Sequence, residues 1–95
     1  MNELVKKVIE WGEEKGLHDA KAQLNKVIEE VGEIAHEITR NRNGDDLADA
    51  IGDSLVTIII LANICGLDPE ECLAGAYEEI KGRKGATRNG TFIKE

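Results

Sequence analysis

Residues 23–38 read QLNKVIEEVGEIAHEI, and the apolar side chains of this stretch recur every three or four residues. That period places them on one face of an α-helix, whereas the residues of a strand would alternate every second position. Asp19 is a good N-cap before the stretch, and residues 41–44, which read NRNG, break the pattern after it. The sequence therefore predicts a long helix over residues 19–41.

The same period predicts three further helices, over residues 2–15, 46–65 and 69–81. Asn2 is the expected N-cap of the first of these, and Asp45 or Asp46 that of the second. Before the last, residues 68–71 read DPEE, which supplies an N-cap, a proline at the first helical position and acids in the first turn. Residues 1–95 are thus predicted to form a single all-α domain of four helices.

The chain is acidic, with 19 Asp and Glu against 12 Lys and Arg and a net charge of -7. Five of the cations are concentrated near its end, at Lys81, Arg83, Lys84, Arg88 and Lys94. Residues 82–95 are predicted to form a short, non-helical basic tail, which Phe92 and Ile93 would dock back so that its cations approach phosphates. No aromatic residues interleave with the cations, so we interpret the tail as part of a small-anion site and expect no nucleic-acid partner.

Size and apolar pattern predict an oligomer. A chain of 95 residues builds only a modest core, and the second half of the helix over residues 46–65 is apolar all round, so a partner subunit is expected to cover part of it. Its apolar stretch, Leu55 to Cys65, is shorter than the roughly 20 residues of a membrane span and is read as a buried helix.

No charged-then-apolar leader opens the chain, which predicts a cytoplasmic protein. Cys65 and Cys72 are expected to be buried free thiols.

Acidic side chains share one broad face of the helix over residues 19–41, at Glu29, Glu30, Glu33 and Glu37. Like charges at these spacings cost about 0.2–0.5 kcal/mol per pair, or roughly 1 kcal/mol for the whole face. Lys26 and Arg40 can offset part of this cost, so a solvated charged face is one interpretation. A binding site for a cation is the other.

The next helix favours the cation site, because Asp49 and Asp53 repeat the arrangement and Asp53 lies within an apolar run. Two acidic faces that meet across antiparallel helices bring several negative charges together and need a cation. Magnesium suits an all-oxygen site made of carboxylates and substrate phosphates. His36 follows Glu33 at the spacing of di-iron bundles, but the next helix has no histidine, so a di-iron site is not expected.

Two longer patterns resemble a known family. Residues 23–33 match Gln-x-x-Lys-x-x-Glu-Glu-x-x-Glu and residues 49–53 read DAIGD, a combination that resembles the MazG-like branch of the all-α nucleoside triphosphate pyrophosphohydrolases. Residues 83–85 (RKG) and 89–94 (NGTFIK) are similar to the tail of small single-domain MazG-like proteins of bacteria and phages. The resemblance covers nearly the whole chain and implies a helical bundle that assembles as a dimer or a tetramer of dimers.

The resemblance implies hydrolysis of a nucleoside triphosphate to the monophosphate and pyrophosphate, with Mg²⁺, or Mn²⁺ in its place, bound by Glu30, Glu33 and Asp53. The family pattern has Glu-Glu-x-x-Glu on one helix and Glu-x-x-Asp on the next, and Ala50 stands where the second helix most often has its first acid. Asp49 and Ala50 lie roughly 40° and 60° to either side of Asp53 around the helix, so Asp49 could supply the missing oxygen.

Further site residues are expected. Glu29 is the candidate base for the water that attacks the α-phosphorus, so that Glu29, Glu30 and Glu33 form the expected catalytic set. The expected phosphate-binding cations are Lys26, Lys81, Arg83 and Lys84. Trp11 could stack on the nucleobase, although a lone Trp on an amphipathic helix more often anchors packing. The alternatives are a non-catalytic nucleotide- or metal-binding protein and a helical interaction module, both of the same fold.

Overall fold

The computed structural model describes residues 2–40 and 44–95. Four helices come first in chain order, α1 (Glu3–Glu14), α2 (Ala20–Thr39), α3 (Asp45–Ile64) and α4 (Pro69–Ile80), and two strands follow, β1 (Gly85–Arg88) and β2 (Thr91–Lys94). The predicted all-α class with four helices is confirmed. The predicted helix end at residue 41 and the first three residues of the NRNG segment lie outside the described residues.

Side-chain oxygens cap three of the helices, as the sequence predicts. Oδ1 of Asn2 accepts a hydrogen bond from the backbone N–H of Leu4 at 2.8 Å, and Oδ1 of Asp19 accepts one from Ala22 at 3.1 Å. Asp68 caps α4 in the same way and precedes Pro69 at the first helical position. These bonds satisfy N–H groups that have no partner inside a helix.

The start of α3 differs from the prediction. Its N-cap is Gly44, without a side-chain cap, while Asp45 and Asp46 lie within the first turn. Neither is therefore the N-cap, and both carboxylates instead lie near the positive end of the helix dipole.

The central helix is α3, which packs along α2 on one side and against α1 on another. At the α2–α3 contact the buried side-chain amide of Gln23 donates a hydrogen bond to the backbone carbonyl of Thr57 at 3.1 Å. At the α1–α3 contact, a Cβ atom added to Gly12 would lie 3.1 Å from Cγ1 of Ile60. Both contacts are therefore close approaches of one helix to another.

Much of α3 is less covered than the sequence predicts. Leu55 and Ile58 are 57% and 46% exposed whereas Thr57 and Ile60 are buried, so the expectation that residues 55–65 form a buried helix holds only in part for the single subunit. By length and composition alone α3 is one helix that could cross a membrane. Its contacts with α1 and α2, however, are those of the middle helix of a helical bundle.

The subunit exposes an unusually large surface. Its accessible area is 7293 Å², whereas a compact monomer of 10.4 kDa has about 5,400 Å². Its radius of gyration is 15.6 Å, against about 12 Å for a compact domain of this length. Among the described apolar residues, only Ala50 and Ile60 are buried. The helices therefore form an open arrangement with a very small core.

The basic tail forms a hairpin from β1 and β2, in which Asn89 and Gly90 adopt the positive φ angles of a type I′ turn. The hairpin packs against none of the described helices, and Phe92 and Ile93 are half-exposed. The expectation that these two side chains dock the tail back is wrong within the subunit.

The thiols of Cys65 and Cys72 are exposed rather than buried as expected. They lie at the α3–α4 junction, of which the subunit covers little.

We expect Asp68→Ala to lower the free energy of unfolding by about 1 kcal/mol, since it leaves two N–H groups at the start of α4 without their acceptor. Asp68→Asn is the matched control, because an asparagine caps as well as an aspartate and only the charge is lost. Urea unfolding followed by circular dichroism measures both. Equal destabilisation by the two variants would contradict the capping role.

Candidate active site

A cavity of about 340 Å³ opens between α2 and α3. It is lined by His36, Ala50 and six carboxylates, which belong to Glu30, Glu33, Glu37, Asp46, Asp49 and Asp53. On each helix these acids recur at intervals of three or four residues, so the helical period turns them all toward the gap between the helices. We call this space the acidic cavity.

The acids of this cavity differ in their exposure. Glu37 is buried and the side chain of Glu30 is 15% exposed, whereas Glu33, Asp49 and Asp53 are exposed. Asp53 is exposed although it lies within an apolar run, because that side of α3 is itself open. The cavity is a concave surface that substrates and ions can reach.

Lys26 lies at the edge of this group. Its Nζ is 3.5 Å from a carboxylate oxygen of Glu29 and 3.5 Å from one of Glu30. The charge and hydrogen bond of Glu29, followed by those of Glu30, raise the pKa of Lys26 above its usual value, because both carboxylates favour the cationic form. The Glu29 side chain is 64% exposed and lines neither the acidic cavity nor the cavity beside it.

A second cavity, of about 520 Å³, adjoins the first and shares Glu30 and Asp53 with it. We call it the tryptophan cavity; its other lining residues are Trp11, Leu17, Ala22, Gln23, Lys26, Val56, Thr57 and Ile60. Trp11 is 49% exposed, and Nζ of Lys15 lies 6.0 Å from the centre of its ring. The ring thus forms part of a cavity wall that continues to the acids.

The expected cations of the tail lie elsewhere. Nζ of Lys81 pairs with Glu78 at 2.7 Å, and neither Lys81, Arg83 nor Lys84 lines the acidic or the tryptophan cavity. Of the four cations expected to bind phosphate, the subunit places only Lys26 beside the acids.

The donor set of the acidic cavity fits magnesium. Carboxylate oxygens predominate, with one imidazole and no thiolate, and hard cations prefer such ligands. Within residues 2–40 and 44–95, no three of these groups are close enough together to hold one ion. Magnesium normally keeps several waters and takes one or two carboxylates together with phosphate oxygens, so it does not require a tighter cage.

Position 50 bears directly on the ligand set. Ala50 is buried and faces the acidic cavity, and Asp49 lines the same cavity next to it. A side chain at either position could therefore contribute an oxygen to an ion held there.

The sequence model of the MazG nucleotide pyrophosphohydrolase domain matches residues 18–86, a range that includes both acidic helices and α4. The chain belongs to this family. Separate searches of curated proteins and of solved structures found no significant match. The MazG match begins after Trp11, so the tryptophan cavity combines residues of the MazG domain with an aromatic side chain from the helix that precedes it.

Three site residues were not among the sequence predictions. The sequence puts Glu37 on the acidic face without indicating a role for it. Asp46 is a candidate N-cap, but it precedes Asp49 by three residues and so shares its face. Gln23 belongs to the motif over residues 23–33 and lines the tryptophan cavity. Gln23 lies on the face of α2 that points inward, and this position in the helical period indicates that its side chain is buried.

We expect the effect of Asp53→Asn on the melting temperature to depend on metal. In EDTA the variant should melt at the same temperature as the wild type or higher, because one of several mutually repelling charges is removed. Added Mg²⁺ should raise the melting temperature of the wild type more than that of the variant, since ligand binding stabilises the folded state by about 2.7 kcal/mol at 100 times Kd.

Differential scanning fluorimetry measures both effects. Glu10→Gln on α1 is the matched control, since Glu10 is exposed and lines neither cavity. An equal response of Asp53→Asn and Glu10→Gln to Mg²⁺ would contradict the assignment.

Proposed function

We propose that the protein is a Mg²⁺-dependent nucleoside triphosphate pyrophosphohydrolase, which converts a (d)NTP and water to the (d)NMP and pyrophosphate. The observation that carries this proposal is the continuity of the two cavities through Glu30 and Asp53. Carboxylates suited to a phosphate-bound cation lie beside a mainly apolar space with an aromatic wall. Removal of unwanted or non-canonical nucleotides from a cytoplasmic pool is the role that we propose for this activity.

The triphosphate would occupy the acidic cavity. Glu30, Glu33 and Asp53 would hold Mg²⁺, or Mn²⁺ in its place, and Asp49 would supply the oxygen that Ala50 lacks. When bound, the ion would neutralise charge on the triphosphate and on the departing pyrophosphate. Lys26 would bind a phosphate oxygen, since its Nζ lies 3.5 Å from Glu30 at the edge of the acidic cavity.

Glu29 is the base that we propose for the attacking water. Its exposed side chain pairs with Lys26, and a change of rotamer would be needed to bring its carboxylate to the acidic cavity. There it would accept the proton as the water oxygen attacks the α-phosphorus. No covalent intermediate with the protein is required.

The nucleoside would occupy the tryptophan cavity, whose volume of about 520 Å³ is within the usual range of small-molecule sites. The exposed face of Trp11 would stack on the base. Gln23 already donates to Thr57, and its amide oxygen can accept a hydrogen bond from an exocyclic amine or ring N–H of the base.

Association into a dimer or tetramer is part of the proposal. It is supported by the large accessible area of the subunit and by the exposed apolar residues of α3. A second copy would cover this surface and thereby supply stability that the small core cannot.

A non-catalytic nucleotide- or metal-binding protein is the second candidate. It is favoured by Ala50, which stands where the family most often has an acid, and by the lack of three convergent ligands among the described residues. Such a protein would show coupled affinity for Mg²⁺ and nucleotide without turnover. A plain helical interaction module would show no coupling.

We expect Mg²⁺-dependent release of pyrophosphate from at least one nucleotide in a panel of canonical and modified (d)NTPs. Glu33→Gln should abolish the release, because it removes a ligand charge at constant size, whereas Glu10→Gln should not change it. A coupled colorimetric assay for pyrophosphate measures turnover. If the wild type turns over no member of the panel, the enzymatic proposal fails, and calorimetric titration of Mg²⁺ with and without nucleotide separates the two remaining candidates.

A second prediction concerns the ligand near position 50. Asp49→Asn should lower kcat/KM and weaken Mg²⁺ binding, and the double variant Asp49→Asn/Ala50→Glu should restore part of both, because either position faces the cavity. Steady-state kinetics at several Mg²⁺ concentrations measure the effect. Full activity of Asp49→Asn alone would show that Asp49 is not the substitute for the missing acid.

A further inference from the structure

The chain contains two cysteines, and the proposed function uses neither. Cys65 is the C-cap of α3. Cys72 is the fourth residue of α4, where its backbone N–H donates to the carbonyl of Asp68 at 3.0 Å. Both thiols are free and exposed. Because solvent reaches them, small reagents can reach them too, whereas a cysteine buried in a core is inert.

Both cysteines line one cavity of about 280 Å³ between α3 and α4, which we call the corner cavity. On α3 the lining residues recur at steps of three, one and three, and on α4 the two lining residues lie three apart, so each helix contributes a single face. The other lining side chains are aliphatic and belong to Ile58, Leu61, Ala62, Leu67 and Pro69. Among the described residues of this cavity, the two thiols are therefore the only reactive groups.

A short, hydrogen-bonded connection keeps the two cysteines in the same corner. Residues 65–68 alone separate α3 from α4. Gly66 has a φ of 75°, and the backbone N–H of Leu67 donates to the carbonyl of Ala62 at 2.9 Å, which is the closure of a Schellman motif. Because this turn is closed, the distance between the two sulfur atoms depends on the cysteine rotamers and on the angle between the helices.

The helix α4 is free to adjust that angle. It touches α3 only lightly, and its apolar side chains Leu73 and Tyr77 are 72% and 58% exposed. A disulfide requires its two Cβ atoms to lie about 4 Å apart. A helix with so few contacts can move to meet this requirement without breaking a packed core, and the exposed cysteines can change rotamer.

We propose that Cys65 and Cys72 form a redox modification site, at which an intramolecular disulfide reversibly ties α4 to α3. The oxidant is a small-molecule disulfide. This inference is independent of the proposed function. A disulfide suits the corner cavity because it is neutral and apolar, whereas a soft monovalent metal ion held by two thiolates would leave a negative charge among aliphatic side chains.

The reaction is two successive thiol–disulfide exchanges. One cysteine, as the thiolate, attacks a sulfur of the small disulfide, so that a mixed disulfide forms and one small thiolate leaves. The second cysteine attacks the protein sulfur of the mixed disulfide and releases the second small thiolate. The two protons of the cysteines pass to the leaving thiolates. Two electrons thus move from the protein sulfurs to the small disulfide, which becomes two thiols.

The cross-link would restrain α1 as well as α4. Glu70, two residues before Cys72, accepts a hydrogen bond from the backbone N–H of Asn2 at 2.7 Å, and Asn2 is the N-cap of α1. A bond that fixes the first turn of α4 to the end of α3 therefore also limits motion at the start of α1. It further removes conformational freedom from the unfolded chain.

Intact-mass spectrometry of the full chain tests the inference. The reduced protein is equilibrated with excess oxidised glutathione, and remaining thiols are blocked with N-ethylmaleimide. We expect a single chain that has lost two hydrogen atoms and carries neither glutathione nor maleimide, and dithiothreitol should restore both thiols. Two glutathiones per chain, a disulfide between chains, or two maleimides would each overturn the inference.

The same equilibrium in urea separates a site built by the fold from the mere proximity of two cysteines in sequence. The equilibrium constant for oxidation should be at least about tenfold larger in native buffer than in urea, because the folded corner holds the thiols together. Equal constants would show that the folded corner does not favour the disulfide, against the inference.

Serine variants are the matched controls. Cys65→Ser and Cys72→Ser each keep one thiol and should each retain one glutathione. Oxidation should raise the melting temperature of the wild type by at least about 4 °C and leave that of Cys65→Ser/Cys72→Ser unchanged. Hydrogen exchange should slow in residues 69–80 of the oxidised wild type. Unchanged exchange there would show that the disulfide does not tie α4 to α3, which is equally fatal to the inference.

Discussion

Six carboxylates face one another across the contact between α2 and α3, and their mutual repulsion opposes the packing that brings them together. Other groups hold the two helices in place. The Gln23 amide donates to the Thr57 carbonyl, and small side chains at Ala50 and Ser54 let the backbones approach. Because the acids are attached to these two rigid helices, the position of the whole candidate site depends on this one contact.

The chain belongs to the MazG nucleotide pyrophosphohydrolase family, and the function that we propose for it accounts for these carboxylates. In that proposal, a divalent cation and phosphate oxygens would offset the repulsion among the like charges. Asp49 and Ala50 show how such a site can vary. Neighbouring positions on one helix both face the cavity, so a carboxylate can move by one residue while the cavity keeps its charge.

The small core limits the stability of the single subunit. With so few apolar residues buried within the subunit, a protomer of this kind is expected to be marginal alone, and the proposed contacts between copies would supply further hydrophobic stabilisation. The same open arrangement leaves α4 and the hairpin extended from the helices that carry the acids. Surface that a compact monomer would bury is thereby left accessible.

Local interactions explain what could be predicted from the sequence. Asn2, Asp19 and Asp68 cap helices because their side-chain oxygens reach N–H groups only two or three residues away, and the acids of α2 share a face because the helical period is 3.6 residues. Tertiary structure alone decided that Trp11, Glu30 and Asp53 border one cavity, that Asp53 and both thiols are exposed, and that the hairpin leaves its own subunit uncovered. Those features depend on contacts between residues far apart in the chain, whose free energies no short stretch of sequence contains.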